Sequence, residues 1–234
     1  MKAVRFELRG KLAHFRRFYT NSSSLTYPLP PPPTIAGIIG AALGLSPSEY
    51  PTELVDVRYS VQPAEHWRTL FQTLNLLLVK EQGDLTGSKE HTQVPTQFLA
   101  PLDLNHHLSF KILAASESTP LVERIAEGLA APVFPPFLGA AYCLGYFDRI
   151  ELADGDAIPT FQGMVNGAMP RDLVQDIRPR EGQRILRDRY PLRLDARRDL
   201  TASGDLLVEA TGQPLDVSTR EVLQIGGQEV YALL

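Results

Sequence analysis

Residues 3–14 alternate, with Val4, Phe6 and Leu8 on one side and Arg5, Glu7 and Arg9 on the other. A period of two predicts a half-buried strand. Phe15 to Pro33 is a long connection holding Thr20-Asn21-Ser22-Ser23-Ser24 and the proline-rich run 28–33. Consecutive prolines predict extended backbone there, because they neither donate to a ladder nor continue a helix. At Thr34 the period changes. Ile35, Ile38, Ile39, Ala42, Leu43 and Leu45 have helical spacing, with Thr34 as a candidate cap and Gly44 as a stop. Further strands are predicted over Leu54–Val61, Trp67–Val79, Leu108–Ala114 and Tyr142–Leu152, and a second helix carries Leu121, Ile125, Ala126 and Leu129 behind Ser118-Thr119-Pro120.

Between the third and fourth strands, Glu81 to Gln97 is polar, with only Leu85 and Val94 as aliphatics. Residues 80–107 are therefore expected to leave the body as a long hairpin arm, since a loop of that length without its own core serves a function or moves. The order strand, helix, strand, strand, helix, strand is the split βαβ pattern, predicting an α+β, ferredoxin-like (RRM-like) domain over residues 1–152. From about residue 153 the chain is punctuated by Gly and Pro with short alternating runs, predicting a β-rich C-terminal part over 153–234.

Composition narrows the class. With 44% hydrophobic and 21% charged residues among 234, the chain is globular rather than disordered or collagenous. The single cysteine, Cys143, cannot form an intrachain bridge and reads as a buried residue in a reducing compartment. No apolar run reaches the roughly 18 residues of a membrane span, and the charged, alternating N-terminus lacks a signal-peptide core, so the expected location is cytoplasmic. The net charge of −4 conceals a pattern: +4 over residues 1–52, −7 over 53–170, +3 over 171–200 and −4 over 201–234. An acidic total leaves polyanion binding open, because screening confines each charge to roughly 8 Å. The Arg-rich stretch 171–200 also fits a solvated face of ion pairs.

The densest candidate chemistry is His14 to Tyr27. It gathers Arg16 and Arg17 for phosphates, Phe15, Phe18, Tyr19 and Tyr27 as ring faces, and Thr20, Asn21, Ser22, Ser23, Ser24 and Thr26 for sugar or base edges. Single-stranded RNA recognition uses those parts, and helix amides near Thr34 add an anion site. The alternative is a surface loop whose aromatics pack inward and whose hydroxyls make turns. His106-His107 would point to opposite faces of a strand and make a poor metal site. Gly37, Gly40 and Gly44 lack the Gly-Lys-Ser/Thr of a phosphate loop. No cofactor is implied.

The run Ala13 to Tyr27, followed by the prolines and Thr34-Ile35-Ala36-Gly37-Ile38-Ile39-Gly40-Ala41-Ala42-Leu43-Gly44, resembles the N-terminal signature of the fifth family of CRISPR-associated proteins, within the RAMP superfamily, in the form found in type I-B systems. Pro136-Phe137-Leu138-Gly139-Ala140-Ala141-Tyr142 resembles that family's second, Gly-containing turn. The resemblance implies a non-enzymatic subunit of the Cascade surveillance complex. Such a subunit caps the 5′ handle of CRISPR RNA, touches the backbone and large subunits, and meets target DNA through the complex. Carried over by position, His14, Arg16, Arg17, Tyr19, Asn21, Ser22, Ser23 and Ser24 would contact the handle, with Tyr27 and Thr34 at the base of the site. Lys80, Lys89, His91 and Gln93 would contribute from the arm, which sits where the family's β-hairpin thumb is expected.

Two rivals remain at this level. Relatives in type I-C systems cut precursor RNA without a metal through a Tyr, a Lys and a His, and Tyr27, Lys89 and His91 supply those types, although Glu90 separates the last two. The other rival is an architectural adaptor whose basic loop meets a protein's acidic surface.

Overall fold

The computed structural model describes residues 1–21, 23–77, 79–87 and 91–234. In chain order the elements are β1 (Lys2–Gly10), α1 (Pro32–Ala42), α2 (Tyr50–Glu53), β2 (Arg58–Pro63), β3 (Trp67–Leu77), β4 (His91–Pro101), β5 (Leu108–Ser116), α3 (Thr119–Ala130), β6 (Gly145–Val165), β7 (Met169–Pro170), β8 (Val174–Arg178), β9 (Ile185–Leu194), β10 (Leu200–Glu209), β11 (Leu215–Ile225) and β12 (Glu229–Tyr231).

β1 lies at the centre of the main sheet. Its neighbours β5 and β6 and the edge strand β2 give the order β6-β1-β5-β2, every pair antiparallel, while α1 links β1 to β2 and α3 links β5 to β6. The alternation read from β1 decides its faces. Val4, Phe6 and Leu8 join Ile35, Ile38 and Ile39 of α1 and Val122, Ile125 and Leu129 of α3 in one core, each such side chain contributing about 1.5–3 kcal/mol on burial. Arg5, Glu7 and Arg9 lie on the other side in ion pairs with β6 and β12. The class is α+β with antiparallel sheets, as the sequence predicts.

Four expectations are corrected. Helix α1 starts at Pro32, so Pro32 and Pro33 belong to its first turn, where a missing N–H leaves no bond unmade. Thr34 accordingly sits inside that turn; the cap position is Pro31, which makes no side-chain bond. The arm begins at Trp67 rather than residue 80, since β3 leaves the sheet and pairs only with β4 along their whole length. The expected strand is there, but it lies in the arm, where Phe71, Leu76 and Leu77 are exposed while Leu70 and Leu74 are only half-covered. Finally, the boundary at residue 152 falls inside β6, whose first half pairs with β1 and second half with β11.

The C-terminal strands are thus part of the same body. Beside the main sheet lies a three-stranded sheet, β7-β10-β9, whose Tyr190, Leu206 and Val208 enter the core of α1 and β1. No helix among the described residues is long and apolar enough to cross a membrane. The candidate RNA loop emerges between β1 and α1 and is closed in by the arm's base, the 136–143 turn and β9.

Candidate RNA-binding loop

The loop folds back on itself. Arg17 N–H donates to the Leu25 carbonyl at 2.9 Å, Tyr27 N–H to the Phe15 carbonyl at 2.8 Å and Phe15 N–H to Thr26 Oγ1 at 2.9 Å, so residues 15–17 run against 25–27. His14, Phe15, Thr26 and Tyr27 are buried, whereas Arg16, Phe18, Tyr19 and Asn21 are exposed.

The arm's base grips the root of the loop. Ala13 and Leu99 exchange backbone bonds of 3.1 and 2.8 Å, Ser24 N–H donates to the Pro95 carbonyl, and Gln97 N–H donates to the Ser24 carbonyl, both at 2.9 Å. His14 ties the pieces together: Nδ1 lies 2.7 Å from the Gln97 carbonyl and must donate, so Nε2, 2.8 Å from Ser24 Oγ, accepts from that hydroxyl. The second motif meets the first here, because His14 N–H donates to the Leu138 carbonyl at 2.9 Å. Gly139, at φ +88°, leaves no room for a side chain; a Cβ there would lie 2.1 Å from the His14 carbonyl oxygen. Cys143 closes the same turn, donating from its backbone N–H to Ala140, and burial pushes its thiol up to about 11.

β9 holds the opposite side. Tyr27 stacks on Tyr190 with ring centroids 4.2 Å apart and planes at 25°, and its hydroxyl donates to the Arg189 carbonyl at 2.7 Å. Burial, with Tyr19 and Asp188 adding to it, raises the Tyr27 phenol far above its usual range. Arg17 is spoken for as well: Nε donates to the Thr26 carbonyl at 3.0 Å, one NH2 group reaches Tyr19 Oη at 3.1 Å and Asp188 Oδ2 at 3.2 Å, and the guanidinium lies 5.7 Å from the Tyr27 ring centre.

The two neighbouring arginines therefore differ. Arg17 is a half-buried strut, while Arg16 is exposed, donates only to the Thr20 carbonyl at 3.3 Å, and pairs with no carboxylate among the described residues. Phe18 and Tyr19 flank it, edge to face at 5.4 Å, each 45% exposed. On the far side of His14, Tyr142 sets its exposed ring 6.0 Å from Phe98.

Of the other expected site residues, Ser23 is half-exposed and Ser24 spends its hydroxyl on His14. Lys80 lies exposed past the end of β3, and His91 and Gln93 are exposed on β4 opposite Leu77 and Asn75. At about 3.3 Å per residue, His91 is roughly 20 Å along the strand from Gln97 at the loop. Ser22 and Lys89 lie outside the described residues. His106 is exposed in the turn after β4, and His107 is half-exposed just before β5. No group of three or more potential metal ligands occurs among the described residues. In the Arg-rich stretch, Arg178 pairs with Asp176 and Asp216, and Arg187 with Asp205. The residues that sequence reasoning missed are Asp188 and Tyr190, which lie about 160 positions from the loop they hold; the only signal was an apolar-polar alternation in β9 with no indicated partner.

Burial lowers the His14 imidazole from its ordinary value of 6.5. The unfolded chain then binds a proton below about pH 6.5 that the folded chain refuses, so this contribution is complete above that pH and is lost as pH falls through the interval below it. The midpoint of urea unfolding is expected to drop more between pH 7.5 and 5.5 in the wild type than in His14→Gln; equal drops would place the proton uptake elsewhere.

A sequence model of the family described as CRISPR-associated protein (Cas_Cas5) matches residues 3–203. No curated protein matches the sequence. Among solved structures, a CRISPR protein from Archaeoglobus fulgidus is similar over 98% of this chain and 97% of its own, at 13% identity and a TM-score of 0.55. A chain of a CRISPR RNA-guided surveillance complex is similar over 90% of this chain and 91% of its own, at 19% identity and a TM-score of 0.53. A further structure, described as a Cas protein, is similar over 62% of each chain, at 20% identity and a TM-score of 0.41. The paired motifs at residues 13–27 and 136–142, locked together through His14 and Gly139, lie within the matched span, and the chain belongs to the CRISPR-associated Cas5 family.

Proposed function

We propose that this chain is a non-catalytic subunit of a type I CRISPR RNA-guided complex, of the I-B kind, that binds the 5′ handle of the CRISPR RNA through the Arg16–Asn21 tip of its loop. The observation that carries this reading is the exposed Arg16 guanidinium, which has no carboxylate partner among the described residues and is set beside two exposed rings on a loop anchored on three sides. A cation beside ring faces suits an unpaired RNA strand: the guanidinium takes a phosphate and the rings take bases. The arm, with Phe71, Leu76 and Leu77 exposed, offers apolar surface to a neighbouring backbone subunit, and the large subunit and target DNA are reached through the assembly. The non-catalytic part of the reading is supported by Tyr27, buried with its hydroxyl committed to Arg189, and by His91, far along the arm.

Titration of repeat RNA at several salt concentrations tests the site. Arg16→Ala is expected to bind roughly fivefold more weakly, with the slope of log K against log salt shallower by about 0.7. Wild-type affinity and slope would remove Arg16 from the interface.

A further inference from the structure

Asp188 stands where charge alone would disfavour it. Its carboxylate, 18% exposed, lies on β9 against a loop read as binding a polyanion. It is nevertheless saturated by donors: Oδ1 accepts from the Tyr19 hydroxyl and from Arg189 N–H, both at 2.7 Å, and Oδ2 faces Arg17 at 3.2 Å. Tyr19 in turn accepts from Arg17 at 3.1 Å, which closes a triangle of Arg17, Tyr19 and Asp188. The triangle rests on a rigid footing, because Tyr27 and Tyr190 stack directly beneath it and the Tyr19 ring stands edge-on to Tyr27 at 6.4 Å.

We propose that Asp188 is a positioning residue for RNA binding: by accepting from Tyr19 and Arg17 it fixes the Tyr19 ring and the loop tip in the orientation that meets the strand. The inference rests on the proposed RNA-binding role of the loop and extends it to the C-terminal part of the chain. Tyr19 would otherwise rotate freely at an exposed tip, and ordering it on binding would cost affinity; a ring held in advance avoids that loss. The same bond leaves Arg17 neutralised, which assigns phosphate binding to Arg16.

The sign of the effect separates positioning from charge. Removing a carboxylate beside a polyanion site strengthens binding if charge is all that matters. Titration of labelled repeat RNA against Asp188→Ala, Tyr19→Phe and the double variant is expected to give roughly fivefold weaker binding for the first and roughly threefold for the second, the double being no weaker than Asp188→Ala alone. The salt slope should stay at its wild-type value, since no phosphate contact is removed. Binding by Asp188→Ala equal to or tighter than wild type, or losses that multiply in the double variant, would overturn the proposal. Where Asp188→Ala fails to fold, Tyr19→Phe decides by itself, because its ring is half-exposed and only the oxygen is lost; unchanged affinity there overturns the proposal. Arg16→Ala in the same titration separates the two ideas: if it binds like wild type, the RNA reading of the loop fails, whereas if it weakens and Asp188→Ala does not, only the positioning role fails.

Discussion

Tyr27→Ala is expected to lose about 3–5 kcal/mol of unfolding free energy, read from urea denaturation. The side chain is fully buried, stacks on Tyr190 at 4.2 Å and joins the loop to β9 through the Arg189 carbonyl. Truncation removes the ring, leaves a cavity between two parts of the chain and orphans an acceptor. Set against a total of about 5–15 kcal/mol for an ordinary domain, that is a large share of the margin. Tyr27→Phe keeps the ring and loses only the bond, so a cost of about 1 kcal/mol is expected, with RNA binding retained. The pair also bears on mechanism. A phenol acting on the RNA would make Tyr27→Phe as damaging to function as Tyr27→Ala, whereas a buried strut makes the two differ sharply. Equal losses of stability in the two variants would show that the stacked ring is not what holds the loop to β9.

Gly139→Ala is the second large effect. The backbone there has φ +88°, where an L side chain adds strain of about 1–2 kcal/mol, and the new Cβ would lie 2.1 Å from the His14 carbonyl oxygen. No flexible side chain can yield, because the obstacle is backbone; the 136–143 turn must move away from the loop. Stability should fall by about 3 kcal/mol or more, and RNA affinity should fall with it as His14 and Ser24 lose register. Gly83→Ala is the control, since a Cβ at Gly83 meets nothing within 4 Å. It should stay within about 0.5 kcal/mol of wild type. A Gly139→Ala variant that unfolds and binds RNA like Gly83→Ala would contradict the locked arrangement of the two motifs.

Much of this was legible locally. The alternation of Val4, Phe6 and Leu8 set the strand and its faces, and the spacing of Ile35, Ile38 and Ile39 set the inner face of α1, because those periods are properties of a few neighbouring residues. The arm's start was not legible. Trp67 to Leu77 is apolar enough for a core strand, and only the direct pairing of β2 with β5 shows that it is left over. The boundary at residue 152 failed for a similar reason: Gly155 and Gly163 punctuate β6 without ending it, since β11 supplies a second partner just where β1 ends. In the loop, composition identified the right segment but could not tell Arg16 from Arg17. Their difference is made by Asp188, a contact across 171 residues that no local pattern encodes.

Incubation of the purified chain with labelled repeat-containing RNA in EDTA, resolved on a native and a denaturing gel beside a scrambled RNA of equal length, tests the central claim most directly. The account predicts that the repeat RNA is retarded in preference to the scrambled one and runs uncut under denaturing conditions. Equal retardation of both, no retardation, or a discrete cut within the repeat would contradict it.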